Sequence, residues 1–60
     1  MTEQEHSELV SAVEEQINIA KSALTKIMNL ADGKDGDVIF LAKYKRDDLD
    51  VIVKCVKIQK

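Results

Sequence analysis

From Glu3 to Ala31 the chain carries neither Gly nor Pro, and its apolar residues return at alternating steps of three and four: Val10, Val13, Ile17, Ala20, Leu24, Ile27 and Ala31. At ~100° per residue, that spacing aligns all seven on one side of an α-helix. Leu9, Ala23 and Leu30 widen the stripe on one flank, and Met28 widens it on the other. Thr2 and Glu5 have the spacing of a capping box, in which the hydroxyl accepts from the Glu5 N–H and the carboxylate reaches back to the Thr2 N–H. Glu3 and Glu5 also sit where the helix dipole favours negative charge. The stretch ends at Asp32-Gly33, and glycine suits the left-handed residue that closes many helices. Lys26 and Lys34 near that end complement the dipole.

The width of this apolar surface matters more than its presence. With Val10 at position a of a heptad, positions a, d and g are apolar apart from Gln16, Ala12 and Ile19 fall at c, and Met28 falls at e. Only the rows through Ser11, Asn18 and Thr25, and through Glu8, Glu15, Ser22 and Asn29, are cleanly polar. A coiled-coil seam is narrower than this.

The loop Asp32-Gly33-Lys34-Asp35-Gly36-Asp37 alternates Asp with Gly, but it fails as a calcium loop. With Gly36 at the sixth place, Ala31 and Gly33 stand where oxygen ligands belong, and Ala42 stands where the closing Glu should be. It also lacks the Lys-Ser/Thr ending of a phosphate-cradling loop. The loop therefore reads as a turn.

Beyond it, 37–46 and 49–60 are rich in Val and Ile and read as strands, with Arg46-Asp47-Asp48-Leu49 as the turn. That register pairs Lys45 with Asp50, Tyr44 with Val51, Ala42 with Val53 and Phe40 with Cys55. The face carrying Val38, Phe40, Ala42, Tyr44, Leu49, Val51, Val53 and Cys55 would meet the helix. The expected fold is α+β: one domain over 1–60, with a helix at about 3–31, a loop at 32–37 and a two-stranded antiparallel β-hairpin at about 37–60.

Such a fold would leave apolar surface uncovered. The helix has a flank to spare, and the outer hairpin face mixes Ile39, Leu41, Ile52, Val56 and Ile58 with Lys43, Lys45, Lys54 and Lys60. Exposed apolar area and unpaired strand edges mark contact surfaces. Sixty residues must also recover roughly 90 kcal/mol of ordering cost, largely by apolar burial. No disulfide can form from the one cysteine, Cys55, and one His with one Cys cannot close a zinc site. Association of copies is therefore expected, through Ile19, Met28, Ile39, Leu41, Ile52, Val56 and Ile58.

No catalytic, metal or cofactor site is expected. Cys55 is assigned to the core, where a thiol is a small hydrophobe. His6 is expected to be exposed, and adjacent Glu14 and Glu15 diverge by ~100° on a helix. The net charge is only −2, but it is divided. Five acids face two lysines from Met1 to Ala31, whereas six bases face three acids from Val38 to Lys60. Lys43, Lys45, Arg46 and Lys54 are the expected binding residues.

The function expected is that of a small homo-oligomeric binding protein acting by occupancy. It would be an inhibitor or adaptor on a protein partner, or a holder of a small anionic ligand. The alternative is a nucleic-acid-binding regulator whose basic β-hairpin enters a groove. Against that, Phe40 and Tyr44 are expected to face inward, leaving no platform for base stacking. The polar, acidic N-terminus and the want of a long apolar run predict a cytoplasmic protein with no membrane partner.

Overall fold

The computed structural model describes residues 1–58, which form two α-helices: α1 over Glu3–Ala31 and α2 over Gly36–Ile58. No strand occurs among the described residues, so the expected α+β fold with its C-terminal β-hairpin is corrected to a helical hairpin. Arg46-Asp47-Asp48-Leu49, read as a turn, lies in the middle of α2. Lys60, counted among the strand lysines, lies outside the described residues.

The physical reason is a periodicity that the Val and Ile content conceals. Ile39, Ala42, Arg46, Leu49, Val53 and Val56 recur at steps of three and four, and every one of them is buried or half-buried. Arg46 interrupts that stripe chemically without interrupting it geometrically. No Gly or Pro follows Gly36, so nothing breaks a helix there. The β-branched preference for strands spans only about 1 kcal/mol and yields to packing.

Local chemistry sets the ends of both helices. The Thr2 hydroxyl accepts from the Glu5 N–H at 3.1 Å. It also donates to the Glu5 carboxylate at 3.0 Å, so that carboxylate engages the hydroxyl rather than the Thr2 N–H expected of a capping box. Gly33 closes α1 with φ +74°, the left-handed conformation that a Cβ disfavours. Lys34 and Asp35 N–H groups return to the Ala31 carbonyl at 2.9 and 3.0 Å. Asp35 then caps α2, its carboxylate accepting from the N–H groups of Asp37 at 3.0 Å and Val38 at 3.2 Å. One short turn thus finishes one helix and starts the next.

The helices run antiparallel. On α1 the inward row is His6, Val10, Val13, Ile17, Ala20, Leu24, Met28 and Ala31, all buried or half-buried. Ile27, placed on that stripe by its spacing, is instead 41% exposed, because Met28 takes the inward place. Of the residues expected to meet α1, Val38, Phe40, Tyr44, Val51 and Cys55 are exposed, and Ala42, Leu49 and Val53 do pack inward. Among the described residues, Ile17, Ala31, Ala42 and Val56 are the buried ones, and no large side chain is fully buried. The Cα trace measures 48 × 15 × 8 Å, the thickness of a single layer of helices.

Candidate functional site: two unlike faces

A hairpin one layer thick has two broad faces, and here their chemistry differs. Three cross-helix links between side chains, among the described residues, lie on one of them. Lys57 Nζ approaches Glu14 Oε1 at 3.7 Å, Lys21 pairs with Asp50, and Arg46 Nη1 donates to the Thr25 hydroxyl at 3.4 Å. From Glu14 the links advance seven and then four residues along α1, and from Lys57 they retreat by the same steps along α2. That is the repeat of a helix pair in constant register. Asn18, Ser22 and Lys26 join Lys21, Thr25 and Arg46 around a shallow polar hollow near the middle of α1. The ion pairs are solvent-exposed, so each contributes only about 0.2–1 kcal/mol, and their main effect is on register.

On α1 these polar residues lie to one side of the buried Ile17 row, and on α2 to one side of the Leu49 row. The flanks on the other side of each row must therefore share the opposite face. There α1 presents Leu9, Ala12, Ile19, Ala23, Ile27 and Leu30, and α2 presents Leu41 and Ile52. A hollow lined by Val13, Val51, Ile52, Cys55 and Val56 joins the two helices on this side. The surface continues onto the outer edge of α2, where Phe40 and Tyr44 stack with ring centroids 6.4 Å apart and stand 68% and 59% exposed. The chain exposes 4787 Å² in all, whereas the size scaling of folded monomers gives roughly 3,900 Å² for a 6.7 kDa chain.

The expected binding lysines are separated by the helix. Lys43 and Lys54 are exposed on the polar side of α2, with Arg46 half-buried between the helices. Lys45 lies ~200° from Lys43 around the helix and borders the apolar face. In a strand the two would have shared a side. Of the expected interface residues, Val56 is buried between the helices, Ile39 and Met28 are half-buried there, and Ile19, Leu41, Ile52 and Ile58 remain exposed. Lys21 and Lys26 were overlooked as members of the polar face. Their steps of four from Ser22 or Thr25 towards Arg46 carry meaning only once α2 is known to be a helix.

His6 and Cys55 exchange the environments expected of them. His6 is half-buried at the open end, its Nε2 2.9 Å from the Val56 carbonyl, so that nitrogen carries the proton and donates. Val56 is near the end of α2, and the imidazole links its carbonyl to the start of α1. Cys55 is exposed, since its α2 position turns away from the buried row. Among the described residues, no group of three His, Cys, Asp or Glu side chains is placed to hold a metal ion, and no helix is long and apolar enough to cross a membrane. No family model, curated protein or solved structure matches this chain.

Proposed function

We propose that this chain is a small, non-enzymatic binding protein that works as a homo-oligomer and acts by occupancy. It covers a partner's surface as an inhibitor or adaptor, or holds a small anionic ligand against its lysine-bearing face. The observation that carries this reading is the division of the exterior into a polar, base-rich face and a broad apolar one. An apolar face supplies contact area, while bases on the other orient and steer an acidic partner. The His6 imidazole is engaged with a backbone carbonyl and the polar hollow is open, which favours binding over catalysis. The lone thiol fits a reducing compartment, and the cytoplasm is the setting we propose.

The contact residues proposed are Lys43, Arg46 and Lys54, with Lys21 and Lys26 beside them across the hairpin. Lys45 stands apart from them and becomes the internal control. Affinity purification from the native host, followed by mass spectrometry, identifies the partner. Titrating that partner against Lys43→Glu/Lys54→Glu and against Lys45→Glu then tests the site. The double variant should weaken binding at least tenfold and Lys45→Glu by less than threefold. Equal affinity of the double variant and the parent protein refutes the assignment.

The nucleic-acid reading loses its β-ribbon. One observation now favours it, the exposed Phe40–Tyr44 pair with Lys43 beside it, because aromatic side chains and a base form a stacking platform. Anisotropy of a labelled oligothymidine over a salt series tests it. Binding that weakens with salt at the slope of several phosphate contacts would support this second reading over the first.

A further inference from the structure

We infer that the apolar face is covered by a second copy of this chain, so that two hairpins stack into a four-helix bundle with their polar faces outward. This rests on the homo-oligomeric part of the function proposed above and specifies its surface. Domains are built from at least two packed layers of secondary structure, and this chain supplies one, 8 Å thick in its Cα trace. Its exposed area of 4787 Å² exceeds the monomer expectation by roughly 900 Å². A standard specific interface takes roughly 800 Å² from each partner. The surplus and the requirement agree.

The spacing of the exposed residues is that of helix packing. On α1, Leu9, Ala12, Gln16, Ile19, Ala23, Lys26 and Leu30 recur at alternating steps of three and four, a second heptad row beside the one that α2 covers. On α2, Leu41, Tyr44, Asp48, Val51, Cys55 and Ile58 do the same. Each helix thus carries two seams, and the hairpin uses one of each. A helix with two adjacent seams is suited to a bundle of more than two helices. The small residues Ala12 and Ala23 let a neighbouring helix come close.

Composition argues against a membrane as the occupant. A membrane surface is a poorer match: amphipathic membrane helices set their apolar side in a basic rim with Trp, whereas this chain is acidic overall and contains no Trp.

The test is sedimentation equilibrium of the full chain from 1 to 200 µM, with helix content followed by circular dichroism. The parent protein should sediment at twice its chain mass. Ile19→Glu/Ile52→Glu should self-associate at least a hundredfold more weakly, since both side chains are half or more exposed in the hairpin and their loss falls on the interface. Lys43→Glu/Lys54→Glu should associate as the parent does. If the first variant loses helix, Ile52→Ser reads the same contrast without a buried charge, with at least a tenfold weakening expected.

Unchanged association of Ile19→Glu/Ile52→Glu overturns the assignment of this face and leaves the homo-oligomer reading standing. A parent protein that is helical and monomeric throughout overturns both. A monomer that binds vesicles of phosphatidylcholine and phosphatidylglycerol also overturns the inference and gives the face to a membrane.

Discussion

The two broad faces of this hairpin share one backbone and differ in how they are held. The polar face is joined by exposed ion pairs and a hydrogen bond that step along both helices in one register. The apolar face has no comparable ladder among the cross-helix links described, and it displays aliphatic side chains that the hairpin itself does not cover. Burial of apolar surface contributes in proportion to area, about 25 cal/mol per Å², whereas an exposed ion pair contributes little. The polar face therefore sets alignment, and the apolar face holds the larger unused stabilisation.

Both faces depend on the thin layer of side chains between them, so the comparison breaks most completely there. Ile17 is 8% exposed at the centre of the inward row of α1. Ile17→Ala should cost about 2–5 kcal/mol, the range for deleting a buried aliphatic, read as a lowered melting temperature by circular dichroism. A loss below about 1 kcal/mol would mean that the inter-helix seam contributes little to stability, outside that range.

The turn holds the two faces in register, and its two glycines should respond in opposite directions. Gly33 adopts φ +74° with open space around its missing Cβ, so Gly33→Ala meets backbone strain alone, about 1–2 kcal/mol. Gly36 has no positive φ and nothing near its missing Cβ. Gly36→Ala should stabilise by about 0.4–1 kcal/mol by restricting the unfolded chain. Urea titrations of both variants check the pair, and equal shifts of one sign would show that the turn is not formed as described.

The smallest effect is expected on the polar face. A double-mutant cycle of Lys21→Met and Asp50→Leu should return a coupling of about 0.2–1 kcal/mol, shrinking in 1 M salt. A coupling well above that would mean that the ladder carries stability as well as register, and would reverse the contrast between the faces.

The two helices also differ in how readily they are read from sequence. α1 announces itself: Thr2 and Glu5 at the start, Gly33 at the finish, and an apolar stripe between them. α2 has equally good signals, but they point away from helix when taken singly. Asp35 is an N-cap with Gly33 two residues before it and Gly36 directly after it, which looks like loop. Val38, Ile39, Val51, Ile52, Val53 and Val56 favour strands by composition. The inward row is diluted by Ala42 and Arg46, and the second apolar row through Leu41, Val51 and Ile58 overlaps it. The overlap blurs the helical period into alternation over short windows. Length was the better discriminator, because a Gly- and Pro-free stretch of this extent exceeds an ordinary strand.

The candidate site followed from that assignment. Read as a strand, Lys43, Lys45 and Lys54 share a side. Read as a helix, Lys43 and Lys54 stay together, Lys45 crosses to the apolar margin, and Lys21 and Lys26 of α1 come into view. His6 was not legible at all, because its partner is a backbone carbonyl fifty residues away and no local pattern encodes such a contact.

By itself the amino-acid order determined that α1 is helical, where it starts and stops, and that its apolar residues spread beyond a single narrow stripe. These are local properties, set by backbone capping and helical period. Tertiary structure decided between helix and strand for the second half, and with it which lysines stand together and which aliphatics are left outside. Those outcomes depend on α2 burying a stripe against α1, and the gain from that burial outweighs the weak intrinsic preference of Val and Ile for strands.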